Sequence, residues 1–237
     1  MDSSAADTRI PLLLLPGLLN DEELWRDQLH DLADIADCTV GDLTRGETLR
    51  ELAEQQLARM PEQFALAGFS LGGYVAQEIL RLAPQRVQRL ALLDTSARPD
   101  SPERAAQRQQ QRRSLRAPGT FIGFGERLMR SFVDASRHGD TELLHRVQAM
   151  TQRLGAEVFL RQSQLQREDG RALLAAWSGP MLVLCGANDA ITPPALSREI
   201  AAAAQNAELV ELPGCGHLSP LEQPAEVSAA LRHWLLR

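Results

Sequence analysis

The sequence predicts an α/β fold: a mostly parallel six-stranded sheet with helices on both faces and a helical cap inserted before the last two strands. Three observations carry this. Apolar runs of strand length recur six times along the 237 residues, with helically spaced apolar residues between them. Each run ends at a turn signal or at a residue with chemistry to offer. The stretch from about 97 to 178 breaks the alternation, holding successive helical patterns and no convincing strand. At 44% hydrophobic and 24% charged residues the composition is that of an ordinary globular chain, long enough for one large core. The expected organisation is a single domain over 1–237, with its core at 9–96 and 179–237 and the cap at about 97–178.

The six strands are expected at 10–15, 38–43, 64–68, 87–93, 181–185 and 207–212. Their near-continuous apolar runs suit a parallel sheet covered on both faces. The covering helices are expected at 21–33, 48–60, 71–82, 194–204 and 224–236, several of them opened by Asp, Thr or Pro, residues that suit a helix start. In such a sheet, function lies at the carboxyl ends of the strands.

Composition also excludes chemistry. A net charge of −6 argues against nucleic acid and anionic membrane surfaces as partners, since both need an electropositive face. All 25 basic side chains are arginine, so neither a Schiff base nor a Ser-Lys pair is available. Cys38, Cys185 and Cys215 are odd in number and lack the spacing of a disulfide framework or metal site. Residues 1–8 form a short polar tail without a signal-peptide pattern, and no stretch reaches membrane-spanning length, so a cytoplasmic protein is expected.

Gly68-Phe69-Ser70-Leu71-Gly72-Gly73 closes a strand pattern and opens a helical one. Small residues at 68 and 72 permit a sharp turn that lifts the serine hydroxyl above the sheet. Ser70 is therefore the candidate nucleophile, and it requires a base and a group to orient that base. Four of the five histidines sit in helical patterns; His217 lies in the loop Pro213-Gly214-Cys215-Gly216-His217, directly after the last strand. Asp189, in Gly186-Ala187-Asn188-Asp189 after the fifth strand, is the candidate acid, with Asp94 after the fourth strand as its rival. The chain order Ser, Asp, His is that of the α/β-hydrolase triad and differs from the chymotrypsin and subtilisin orders.

On these motifs, together with Leu13-Leu14-Leu15-Pro16-Gly17-Leu18 and Glu222-Gln223-Pro224, the chain resembles the α/β-hydrolase superfamily. It resembles in particular the small capped branch that includes pimeloyl-carrier-protein methyl ester esterases and haloperoxidase-like esterases. The resemblance covers nearly the whole chain and implies that the first two of the family's eight strands are missing, which leaves six. It also implies an oxyanion hole from the backbone N–H groups of Leu71 and Leu18. The family's histidine ahead of Leu18 is Pro16 here, which removes a hydrogen-bonding group from that loop. The segment 41–46 is shorter than the family pattern, so a more open or smaller pocket is expected on that side.

An apolar pocket is expected from Leu19, Phe121, Phe124, Met129, Phe132, Trp177 and Leu218. Arg98, Arg104, Arg108, Arg112, Arg113 and Arg116 make the first cap helix positive, either as a solvated face or as a patch that steers an anionic carrier. The leading reading is a carboxylesterase that forms an acyl-enzyme, with no cofactor or metal, acting on a small-molecule ester or a carrier-bound acyl group. The same residues also suit a perhydrolase, a carbon–carbon bond hydrolase or an acyltransferase, and a ligand receptor with a retained triad is the alternative from another class.

Overall fold

The structure, a computed structural model, describes residues 9–115, 121 and 123–237; Arg116 and the tail at 1–8 lie outside the described residues. Strands β1 (Ile10–Leu15) and β2 (Ala36–Val40) are joined through a 3-10 turn (Glu22–Trp25) and helix α1 (Arg26–Asp31). Then follow α2 (Leu49–Leu57), β3 (Phe64–Phe69), α3 (Leu71–Leu82) and β4 (Val87–Leu93). Helices α4 (Pro102–Leu115), α5 (Glu126–Phe132), α6 (Thr141–Gln164, broken at Gly155) and α7 (Arg171–Ala176) fill the stretch before β5 (Met181–Gly186). The chain ends with α8 (Pro194–Ala203), β6 (Ala207–Leu212), α9 (Ser219–Glu222) and α10 (Pro224–Leu236).

The sheet order is β2-β1-β3-β4-β5-β6, and all five pairings are parallel. The direction of winding reverses at β1, where β2 adds on one side and β3 on the other. A crevice opens at the carboxyl ends beside such a reversal. No helix among the described residues is long and apolar enough to cross a membrane.

Two expectations are corrected. The second strand lies two to three residues earlier than 38–43, because its register pairs Leu12 with Cys38 and Leu14 with Val40. After the last rung, Gly41 N–H to Leu14 O at 2.9 Å, the Asp42 carboxylate accepts from Thr44 N–H and ends the strand in a side-chain-closed turn. The helix expected at 21–33 is split. Asp21 caps the tighter 3-10 turn by accepting from Glu23 N–H, and that turn drives Leu24 and Trp25 into the core, where Trp25 meets Phe69 edge-on at 6.5 Å.

The core has two layers, one on each face of the sheet. Alternate residues of β1 serve both: Leu12 and Leu14 pack with Trp25, Leu231 and Trp234, while Leu13 and Leu15 pack with Leu52, Val75 and Ile79. Each fully buried leucine contributes about 1.5–3 kcal/mol of transfer free energy. This fixes β1 between the two layers and hence the loop at its carboxyl end.

α3 starts hard against β1. A Cβ on Gly72 would fall well inside van der Waals distance of the Leu15 carbonyl, which is backbone and cannot swing away. Gly72→Ala is therefore expected to destabilise the fold by about 1–3 kcal/mol. That is a fall of roughly 2–12 °C in melting temperature for a chain of this size, measurable by thermal unfolding; an unchanged melting point would show that α3 can pivot off β1.

Candidate active site

Ser70 sits between β3 and α3 with φ 50° and ψ −110°, a left-handed conformation that costs about 1–3 kcal/mol for a residue with a side chain. Three hydrogen bonds hold it there. Ser70 N–H donates to Leu93 O at 2.9 Å, Gly73 N–H donates to Ser70 O at 3.0 Å, and the Thr95 hydroxyl donates to Ser70 O at 2.7 Å. Gly68 makes the turn possible, since a Cβ there would lie 2.5 Å from Gly72 O.

Ser70 Oγ lies 3.0 Å from His217 Nε2, and His217 Nδ1 lies 2.8 Å from Asp189 Oδ2. The histidine ring is buried and flanked by Phe69 and Phe132, with ring centroids at 5.2 and 5.7 Å. Asp189 is saturated with donors: Ile191 N–H at 2.7 Å and Thr192 N–H at 2.9 Å on one oxygen, His217 and the Thr192 hydroxyl, at 2.7 Å, on the other. Burial works against its charge, but the charge of His217 and the hydrogen bonds from His217 and Thr192 outweigh it and hold the carboxyl below its ordinary pKa. An alcohol with a proton acceptor at this distance, itself oriented by an ionised carboxylate, is the arrangement that makes serine nucleophilic at neutral pH. Cysteine offers no alternative: the three thiols are free, and burial raises all of them, Cys38 and Cys185 to about 11.

Leu71 is the first residue of α3, where N–H groups have no intrahelical partner, and both Leu18 and Leu71 line the cleft with Ser70 and His217. The Leu18 loop is anchored from α6. Gln162, buried, accepts from Leu19 N–H at 2.8 Å and donates to Leu43 O at 3.1 Å, while Arg161 donates to Thr44 O. Leu19 itself is held at φ 53°. Gln162 and Arg161 thus tie α6 to both the Leu18–Leu19 turn and the segment at Leu43–Thr44.

A sequence model of the alpha/beta hydrolase family matches residues 12–230. The chain belongs to the alpha/beta hydrolase family. Among proteins to which this hydrolase is similar is the pimeloyl-[acyl-carrier protein] methyl ester esterase of Aromatoleum aromaticum, 28% identical over 81% of this chain and 81% of that protein. The esterase of the same name from Nitrosomonas europaea is 30% identical over 76% and 74%. Of solved structures, a thermophilic esterase from Thermogutta terrifontis superposes with a TM-score of 0.84 at 30% identity, covering 97% of this chain and 90% of that one.

Of the residues named for the pocket, Phe124 and Phe132 line the hydrolase's cleft, while Leu218 borders a smaller cavity that Ser70 and His217 also line. The other expected pocket residues lie elsewhere. Leu19 and Met129 are buried in the core, Phe121 packs against the same layer, and Trp177 packs on the opposite face of the sheet. Leu128, Phe159, Tyr74 and Ile191 line the cleft instead. The arginines of α4 and its approach do not form one solvated face: Arg98 pairs with Glu199, Arg112 donates to Ser163 O, and Arg104 and Arg108 turn into the cleft.

Two further buried carboxyls frame the site. Glu222 accepts from Asp134 N–H (2.7 Å), Gly216 N–H (3.1 Å) and Leu218 N–H (3.0 Å), tying the His217 loop to the end of α5; its place in the Glu222-Gln223-Pro224 motif was the available signal. Asp94, at φ 45°, accepts from Gly186 N–H at 2.8 Å and from the Ser219 hydroxyl. Asp94, Asp189 and His217 bring donor atoms within 4.8 Å of one another, the one cluster of this kind among the described residues. Those atoms are committed to each other and to Gly186 and Ser219 rather than to a common ion.

Burial, then repulsion from Asp189, raises Asp94 well above the ordinary carboxyl value. Below pH of about 4 the folded and unfolded chains both hold this proton; above it the unfolded chain releases the proton and the folded one keeps it. Stability from this group therefore falls as pH rises from about 4 toward the raised pKa. Urea unfolding between pH 4 and 8 is expected to show Asp94→Asn, which keeps an acceptor for Gly186, gaining stability relative to the native protein as pH rises. Parallel profiles would mean that Asp94 is ionised in the fold.

Proposed function

We propose that this hydrolase cleaves carboxylic esters through an acyl-enzyme on Ser70, with residues 97–178 serving as a cap over one catalytic domain. The observation that carries the reading is the continuous path from Ser70 Oγ through buried His217 to buried Asp189, with steps of 3.0 and 2.8 Å. Ser70 Oγ attacks the ester carbonyl carbon as His217 Nε2 takes its proton. The carbonyl oxygen becomes an oxyanion held by the N–H groups of Leu18 and Leu71, each such donor lowering the barrier by about 3 kcal/mol. Collapse breaks the bond to the alkoxy oxygen, which leaves with the proton from His217, and water then repeats the sequence to release the acid. Asp189, ionised, stabilises the imidazolium in both halves. No cofactor or metal enters this scheme.

The esterase names of the relatives support an ester substrate, and the pimeloyl-carrier names among them support a carrier-bound acyl group as one form of it. The apolar lining by Phe124, Phe132 and Phe159 supports an alkyl chain in the cleft.

Treatment with a fluorophosphonate followed by intact-mass spectrometry is expected to give a single adduct on Ser70. Ser70→Ala is expected to lose at least about 10⁴-fold in turnover of p-nitrophenyl esters. Neither adduct nor turnover in the native protein would leave a ligand-binding role as the better reading.

Gln162→Leu keeps the side chain's size and removes its hydrogen bonds to the Leu18 loop. The expected result is a fall of about ten- to a hundredfold in kcat with little change in KM, approaching the loss of one oxyanion donor. An unchanged kcat would uncouple α6 from the loop.

A further inference from the structure

The cleft holding Ser70 and His217 has a volume of about 390 Å³, and its lining combines two chemistries. Phe124, Leu128, Phe132 and Phe159 are apolar. Beside them stand three guanidinium groups, Arg104 and Arg108 from α4 and Arg167 from the connection between α6 and α7, against a single carboxylate, Asp100.

The three cations are not equally satisfied. Arg108 pairs with Asp100, and Arg104 donates to Ile191 O. Arg167 has no carboxylate among the described residues. Its hydrogen bond goes to Leu165 O at 2.7 Å, and its guanidinium lies over the Tyr74 ring, 5.6 Å from the centroid. Burial lowers its pKa to about 10, with the Arg104 charge adding to the effect and Tyr74 opposing it, so it stays protonated at neutral pH. Arg108 leaves a second opening, because its Nε–H is buried without an acceptor.

Other inward-packed arginines are satisfied more fully: Arg146 has Glu23 and Asp27 as counter-charges, and Arg86, over the Phe64 ring, donates to the main-chain carbonyls of Leu57, Met60, Pro61 and Glu62, whereas Arg167 has the Leu165 carbonyl. A desolvated cation without a counter-charge is costly, and the cost is removed when a ligand brings the missing charge. A guanidinium carries five N–H donors and the Arg167 side chain donates to Leu165 O, so N–H groups remain for the carboxylate or phosphate oxygens that its fork matches. Arg167, Tyr74 and Ser70 line the same cleft, and Tyr74 is four residues after Ser70 on α3, so the cation and the serine share one binding space.

We propose that Arg167, with Arg108, forms a subsite for an anionic group of the substrate, a carboxylate or phosphate, on an ester whose apolar part runs along the phenylalanines of the cleft. This rests on the esterase reading above and narrows it to charged esters.

Three esters separate the possibilities: methyl hexanoate, neutral; monomethyl adipate, with a carboxylate at the far end of the acyl chain; and 2-phosphoethyl hexanoate, with phosphate on the alcohol. One of the charged esters is expected to exceed methyl hexanoate by about 10- to 100-fold in kcat/KM, mostly through KM. Which one does so assigns the anion to the acyl or the alcohol side. The preference is expected to fall toward unity in Arg167→Gln and to survive in part in Arg167→Lys. Titration calorimetry of adipate and of inorganic phosphate into Ser70→Ala, with and without Arg167→Gln, reads the same subsite without turnover. If Arg167→Gln does not fold, by its melting transition, Arg108→Gln carries the comparison. Equal kcat/KM for all three esters in the native protein, or a preference that persists in Arg167→Gln, overturns the subsite and leaves the esterase reading standing. Turnover of none of the three, with no adduct on Ser70, overturns both.

Discussion

The buried hydrogen bond between His217 and Asp189 is the constraint around which the upper edge of the sheet is arranged. It joins two loops that leave neighbouring strands, β5 and β6, and it persists only if each is held rigidly and kept dry. The backbone supplies part of the rigidity: Ala187 N–H reaches Leu212 O, and Asn188 N–H reaches Cys215 O, both at 2.9 Å. Side chains supply the rest. Glu222 gathers three N–H groups beneath the histidine loop, and Thr192 Oγ sits within 3.2 Å of both Asp189 and His217.

Three carboxyls in this small volume are driven apart in protonation by their surroundings. Asp189 faces a histidine and a full set of donors, so ionisation wins over burial. Asp94 has two donors and Asp189 as a neighbour, and burial with that neighbour's charge raises its pKa well above the ordinary carboxyl value. Glu222 has three backbone donors, yet burial still raises it. Repulsion between Asp94 and Asp189 at this range works in the same direction as burial on Asp94, while the donors around Asp189 keep its carboxyl low.

Much of this was legible in the sequence wherever the signal was local. The Gly68–Gly73 turn, the run into Asp189 and the glycine loop before His217 each follow a buried strand, and a buried strand announces itself by continuous apolar residues. β2 was misplaced because it is an edge strand, only partly buried, and its pattern is correspondingly weak. Pocket membership was the least legible. Met129 and Phe132 are three residues apart on one short helix, yet one enters the core and the other the cleft, a distinction set by how α5 packs rather than by residue type. Gln162, Arg161 and Arg167 were invisible for a related reason: their partners lie far off in the chain or are positioned only by the tertiary fold, as with Gln162 and Leu19, 143 residues apart.

The Gln162 contact has a mechanical consequence. Leu19 is kept in an unfavoured left-handed conformation by a glutamine on α6, a helix that also covers the cleft. The geometry of that loop is therefore set by the wall of the cleft and not only by the strand it leaves: a change that displaces Gln162 is felt at Leu19, 143 residues away along the chain.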